Sequence, residues 1–370
     1  MSRTSLTAHV AICGGGVIGL SIAIKLASDG HSVTVIDNDQ PGRATTAAAG
    51  MLAPLAEASA SNAGATLGVE SLKLWPEFLG ALKELGGDPP SQRGGGIIRP
   101  AADEKQAHKL RDMMSWQSTT GLPVSWLTPS DVSCIQPGLR RDIAGATLSS
   151  AEKHIDPRHL YESLLFCARI VKVRLLEASV ISFTERESTV AVDTSAGTVE
   201  CDRAVVANGA WVRDLLPRFR SSIRPIRGQI VRLASPAAGN LKFTIHTHAG
   251  YLVPRSTGDI DIGATQELAL DYEPSTSAAD QNHLLAMATS WYPELSASAV
   301  RGTWAGIRPV SKDGLPLLGG SPDHVNVSVA IGHGRNGILL APLTAKLMCD
   351  YIINDTPIVH DLSPRRFELI

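Results

Sequence analysis

The sequence predicts an α/β fold of two interleaved units, one built on a parallel sheet and one on a mixed sheet. Three observations carry that expectation. The chain opens on an apolar run, a glycine-rich turn, an amphipathic segment and a second apolar run, the order strand, helix, strand. Its middle, residues 223–262, is a succession of short β-rich runs separated by turn residues. Its last part returns to an apolar run at 325–330, a glycine turn and a long apolar segment at 338–353.

In the opening stretch, Val10-Ala11-Ile12-Cys13 enters Gly14-x-Gly16-x-x-Gly19, residues 20–26 follow with helical character, Asp29-Gly30 breaks them, and the run 32–36 ends on Asp37. The three glycines serve different ends. Gly14 permits the turn, Gly16 lets backbone approach a pyrophosphate, and Gly19 lets the helix pack on the sheet. The helix N-terminus supplies free N–H groups and the positive end of a dipole. Asp37 stands 23 positions after Gly14, where a ribose-binding carboxylate belongs. Strand, turn, helix and acid together indicate a Rossmann-like dinucleotide-binding unit.

The chain has 370 residues, 44% hydrophobic and 19% charged, which suits a globular enzyme with a sizeable core. A net charge of −2 gives no bulk attraction to nucleic acid or anionic lipid. Five cysteines (Cys13, Cys134, Cys167, Cys201, Cys349) form no CxxC and no metal-ligand spacing, so thiols buried in a reducing, cytoplasmic setting are expected and no metal site is. Residues 10–26 read as first strand and first helix rather than a signal sequence, because three adjacent glycines interrupt them and only Arg3 precedes them as a basic residue. No other run is expected to approach the roughly 20 apolar residues of a membrane span. A homo-oligomer is compatible with all of this.

Beyond Asp37 come Asn38 and then 40–54, where few side chains exceed threonine in size. Such backbone can lie against a flat cofactor, with Arg43, Thr45 and Thr46 free to bond phosphate or ribitol oxygens. The alternative is a flexible surface linker, though Ala47-Ala48-Ala49 is stiffer and less polar than linkers usually are. Helices are expected over 66–85, 104–120, 158–169 and 278–291, and Thr128-Pro129-Ser130-Asp131 signals a helix start. Strands are expected at 171–175 and 178–183, a hairpin over 189–201, and a buried strand from Arg203 ending in a turn at Gly209, a candidate cofactor contact. The resulting boundaries place the nucleotide unit at 1–85, 151–222 and 301–370, and the second unit at 86–150 and 223–300.

The opening fingerprint, the run Thr45-Thr46-Ala47-Ala48-Ala49-Gly50-Met51-Leu52-Ala53-Pro54, Arg227-Gly228-Gln229, Tyr251-Leu252-Val253-Pro254, Gly263-Ala264-Thr265, Trp304 to Pro309 and Gly332 to Pro342 together resemble the D-amino acid oxidase superfamily of FAD-dependent oxidoreductases. Within it they are most similar to the glycine oxidases of the thiamine pathway. The resemblance covers essentially the whole chain, and 45–54 and 332–342 are its specific parts.

It implies a non-covalently bound FAD. Val17, Ile18, Asp37, Asn38, Ala44, Thr45, Ala49, Gly50 and Met51 would line it, Val180 would meet the adenine, and His333, Gly334, Arg335, Asn336, Gly337, Ile338 and Leu339 would hold the isoalloxazine. No cysteine stands in the region just after Arg308-Pro309, where sarcosine oxidases tether their flavin covalently. The physics of the last run agrees, since it opens a helix whose N–H groups can face developing negative charge on the ring. The resemblance further implies a carboxylate anchor at Arg308, whose planar fork suits bidentate capture, and a hydroxyl at Tyr251 beside it. Arg335 either meets the substrate or pins the loop. Ala249 stands where relatives often carry a histidine, and Gln266 where they often carry a methionine; both would face the substrate side chain or the entrance. The expected reaction is oxidation of glycine, sarcosine or a D-amino acid by hydride transfer from Cα, giving an imine, an oxo acid and hydrogen peroxide. A dehydrogenase passing electrons to a quinone or partner protein is the alternative. No paired carboxylates, Ser/His/Asp set or nucleophilic cysteine supports hydrolysis.

Overall fold

The fold is taken from a computed structural model that describes residues 7–234 and 240–367. Its first layer is a six-stranded sheet in the order Leu317–Gly320, Val327–Ile331, Arg203–Val206, His9–Cys13, Ser32–Asp37, Arg174–Glu177. All neighbours are parallel except the outermost pair Leu317–Gly320 and Val327–Ile331. Strands buried on both faces lose the polar alternation of half-exposed ones, and Val10, Ala11, Ile12 and Cys13 are all fully buried. The helix Val17–Ser28 covers this sheet and packs against the helix Gly337–Asn354. Gly19 is obligatory there, because a Cβ would collide with the Gly14 carbonyl.

The second layer is a nine-stranded mixed sheet. Its path runs Glu267–Leu268, Ile223–Ala234, Asp259–Gly263, Tyr251–Pro254, Thr244–His246, Ile97–Ala101, Gly145–Ser149, Val124–Leu127, with Ala299–Ser311 paired along Ile223–Ala234. A three-stranded antiparallel sheet (Val180–Glu185, Val190–Thr194, Gly197–Cys201) flanks the first layer. Side-chain caps fix several helices where the sequence signals them. Thr128 and Asp131 form a capping box, and Asp156 and Ser277 accept from the first-turn N–H groups of Pro157–Ile170 and Ala278–Trp291.

Some expectations are corrected. The strand expected at 171–175 lies at Arg174–Glu177, because Val171 and Lys172 still close the preceding helix and Lys172 takes a left-handed φ of 61°. Its successor is displaced likewise, to Val180–Glu185. Residues 44–52 are not a bare loop: a single turn spans Ala44–Ala47, and Met51–Leu52 pairs with Lys153–His154. The 13-residue strand Ala299–Ser311 carries no expected counterpart of that length. The helix Gly337–Asn354 forms part of a segment long and apolar enough to span a bilayer, contrary to expectation; most of its apolar residues are buried in the core against the first helix and Ala63–Glu84. Four of the five cysteines are buried, but Cys134 is exposed.

Candidate active site

The parallel strands end, at their carboxyl edge, on a cavity of about 390 Å³ whose other wall is the pair of long strands of the mixed sheet. In open α/β sheets this edge is where loops and helix N-termini converge on a ligand. Cys13, Gly14, Gly16, Val17 and Ile18 line it from the first turn, and Asp37, Asn38, Arg43, Ala44 and Thr45 from the second. Val180, Asn208 and Gly209 close one end; Gly228 and Arg308, with His333, Gly334, Arg335, Gly337 and Ile338, close the other.

At the first end, Gly14 has a φ of 117° and a Cβ there would crowd the Ala207 carbonyl. The Asp37 carboxylate accepts from the Gly15 N–H and is paired with Arg43 at 2.6 Å. Burial opposes its charge, but Arg43 and the backbone donors prevail and hold the carboxyl below its ordinary range. Thr45 accepts from the Val17 N–H at 3.0 Å, so its hydroxyl caps the first helix. Asn38 bonds Ser179 at 2.8 Å, next to Val180. The Asn208 side-chain oxygen is buried without a partner among the described residues.

Met51, Ala49 and Tyr251 share one apolar cluster, while Gly50, at φ 73°, abuts the Ile155 carbonyl, which leaves no room for a Cβ. The Thr46 carbonyl accepts from Arg158 at 3.2 Å, and the Ala49 carbonyl from Arg255 at 2.7 Å. Arg255 in turn pairs with buried Asp261 at 2.7 Å, and Asp261 also holds Arg232 at 2.6 Å. That network fastens the 43–50 segment to the mixed sheet, and nothing in the local sequence announces it.

At the opposite end, Gly334–Asn336 forms a tight turn leading directly into the 18-residue helix Gly337–Asn354, which has no side-chain N-cap. Its first N–H groups and positive dipole end therefore face the cavity region. His333 is buried, sits 3.0 Å from Thr344, and burial lowers its pKa to about 3, so it is a neutral packing residue. The Leu339 carbonyl accepts from Ser71 at 2.6 Å and Trp75 at 3.0 Å.

The charged groups between the two layers are the chemically informative ones. Arg308 is half-buried, donates to the Thr265 carbonyl at 3.1 Å and bonds Tyr251. No carboxylate pairs with it among the described residues; burial lowers its pKa, and the Tyr251 hydroxyl is pushed up, again chiefly by burial. Arg335 is different. Its guanidinium forks onto Glu57, with Nε–Oε2 at 2.8 Å and Nη2–Oε1 at 2.9 Å, and His246 stands 3.3 Å from Oε1. Burial alone would raise the Glu57 carboxyl, but Arg335 and His246 hold it down at about 2. Behind them, Glu152 is fully buried, accepts from the Leu55 and Ala56 N–H groups, and burial raises its carboxyl to about 7.

Sequence reasoning missed Glu57, Glu152, Arg255 and Asp261. Glu57 lies three residues beyond the motif ending at Pro54 and was the one signal within reach. Ala249 is exposed in the turn before Tyr251, and Gln266 is exposed; neither lines this cavity, nor do Gly19, Thr46, Ala49, Gly50, Met51 and Tyr251, while Asn336 and Leu339 line a neighbouring cavity together with Glu57. Among the described residues, no cluster could hold a metal ion.

The sequence pattern of the family described as FAD dependent oxidoreductase matches residues 9–351. This chain belongs to that family. The glycine oxidase of Geobacillus kaustophilus is 33% identical over 96% of this chain and 95% of its own. The crystal structure of glycine oxidase from that organism superposes with a TM-score of 0.88 at 32% identity, covering 95% of this chain and 96% of the other. The bifunctional protein ThiO/ThiG of Trichormus variabilis is 33% identical over 98% of this chain, which spans only 56% of that relative's length. The protein is thus an FAD-dependent enzyme with the fold of glycine oxidase. The residues present fit the cofactor: the side-chain-free Gly14 and Gly16 turn, the Asp37 carboxylate and the Asn208 oxygen, without a partner among the described residues, would hold its nucleotide half, and the 333–338 turn would hold its ring.

Proposed function

We propose that the chain oxidises a small amine-bearing amino acid (glycine, sarcosine or a D-amino acid) to its imine and thence the oxo acid, with O2 as electron acceptor and hydrogen peroxide as product. The observation that supports this most directly is Arg308: a half-buried guanidinium without a carboxylate partner among the described residues, beside Tyr251, on the wall shared by the cavity and the mixed sheet. Such a charge is stabilised by an incoming carboxylate. Arg308 would bind and orient the substrate carboxylate, the Tyr251 hydroxyl would assist it, and the apolar cluster of Ala49, Ile230 and Val253 would exclude water around them; bound FAD would supply the acceptor for the hydride from Cα.

On this reading the six-stranded sheet with its helices is the cofactor unit and the mixed sheet, including Ala299–Ser311, the substrate unit. Free thiols at all five cysteines accord with a cytoplasmic location. The deciding experiment is a steady-state panel of glycine, sarcosine, D-alanine, D-proline and bulkier D-amino acids, with peroxide formed under air measured against dye reduction. Stoichiometric peroxide with small amino acids supports the proposal. Dye reduction without peroxide would make the enzyme a dehydrogenase, and no turnover with any amino acid would remove it.

A further inference from the structure

Three arginines line the cavity: Arg43, paired with Asp37, at one end, and Arg308 and Arg335 at the other, and these last two are not equivalent. Arg335 is engaged by both oxygens of Glu57, whose side chain is only 10% exposed. Arg308 has a backbone carbonyl and a tyrosine, with no carboxylate among the described residues. His246 extends the first group: it faces Tyr251 across the strand pair, hence on the same side of the sheet, and its Nδ1 is buried without a partner. That end of the cavity therefore presents one uncompensated cation, Arg308, and next to it Arg335, whose charge Glu57 neutralises from just outside the lining, on the side of a neighbouring cavity.

We propose that Glu57 determines specificity by neutralising Arg335, so that the site accepts amino acids with one carboxylate and rejects amines carrying two. This rests on the reading of Arg308 as the anchor of a substrate carboxylate. The first carboxylate of a substrate neutralises Arg308. A second one finds no uncompensated cation and is repelled by the nearby Glu57 carboxylate, which is only 10% exposed although Arg335 itself is exposed. Selectivity of this kind comes from a built-in repulsive element rather than from better contacts to the accepted ligand. Removing the charge of Glu57 frees Arg335 as a second anion-binding fork.

The test uses holoenzyme and substrate pairs differing by one carboxylate: D-alanine against D-aspartate, and sarcosine against N-(carboxymethyl)glycine. In the wild type, kcat/KM favours the monocarboxylate by at least about 50-fold; in Glu57→Gln the dicarboxylate-to-monocarboxylate ratio rises by about tenfold or more, one such step in binding free energy. Glu57→Asp keeps the ratio near wild type, and Glu57→Gln/Arg335→Gln loses the gain. An unchanged ratio in Glu57→Gln, or a gain that survives loss of Arg335, overturns the proposal. Should Glu57→Gln not fold, titration of the wild type with acetate and malonate, followed by flavin absorbance, decides: tighter acetate binding supports it, and malonate binding as tight or tighter overturns it. The underlying reading fails in a different way, through absence of monocarboxylate turnover in the wild type and acetate binding indifferent to Arg308→Lys, and that result withdraws both.

Discussion

The guanidinium of Arg308 lies across Gly228, so closely that a Cβ on that glycine would overlap its Nη1, Nη2 and Cζ. Both residues sit on the two longest strands, whose register sets Gly228 opposite Gly306. The missing side chain is thus what gives the arginine its place. Gly228→Ala should displace Arg308 and lower kcat/KM for carboxylate substrates by roughly 10²-fold through misplacement of the anchor, while FAD content stays within twofold of wild type. Retained kcat/KM in a folded, fully yellow variant refutes the positional argument.

Arg308→Ala removes the anchor itself, and Arg308→Lys its fork. We expect losses in kcat/KM of about 2–5 kcal/mol for either, because a buried charge pair is being broken. Normal oxidation of glycine, sarcosine and D-alanine by these variants contradicts the assignment.

Asp37→Ala removes a carboxylate that the Gly15 N–H and Arg43 hold at the edge of the cavity. The dissociation constant for FAD, titrated into apoprotein by fluorescence quenching, should rise about 10–100-fold, in line with lost charge-assisted hydrogen bonds of 1.5–3 kcal/mol. Substrate preference should not change, and unaltered FAD affinity counts against the ribose role.

Asp261→Asn leaves Arg232 and Arg255 without their shared buried carboxylate. Breaking such a network by removing one partner costs about 3–5 kcal/mol. A fall in Tm together with faster proteolysis of the 43–50 segment, which Arg255 fastens through the Ala49 carbonyl, is the expected result. A Tm within a degree of wild type speaks against it.

Glu152 makes stability depend on pH in a defined direction. Burial raises its folded-state pKa to about 7, above the ordinary 4.5. Its contribution is complete below pH 4.5 and is lost as pH rises through 7, since the unfolded chain ionises first. Glu152→Gln keeps a carbonyl for the Leu55 and Ala56 N–H groups but cannot ionise. It should match wild type at pH 4 and exceed it at pH 8 by on the order of 3 kcal/mol. Thermal melts at both pH values check this, and an equal difference at both removes the argument.

How much of this was legible in the sequence depends on how local each signal is. The Gly14-Gly16-Gly19 turn and Asp37 announce themselves because their reasons lie within one strand–helix–strand unit, and the caps at Thr128, Asp156 and Ser277 within one helical turn. Ala299–Ser311 is a strand because Ile223–Ala234 pairs with it along its length; its own Gly302, Gly306 and Pro309 dilute any β signal. Glu57 and Arg335 are 278 positions apart, and only the closed fold brings them together. The same holds for Arg255 with the Ala49 carbonyl and for Glu152 with the Leu55 N–H, where spacing carries no trace of the partner.

The order of strands has a bearing on biosynthesis. His9–Cys13 acquires its neighbour Arg203–Val206 only after two hundred residues have been made, and the cavity receives its last wall from residues 330–338. A nascent chain halted at residue 300 would own the Gly14–Gly19 turn and lack the walls at 306–309 and 330–338. Capture of the coenzyme is thereby deferred until residue 338 has been made, and shorter fragments would emerge colourless.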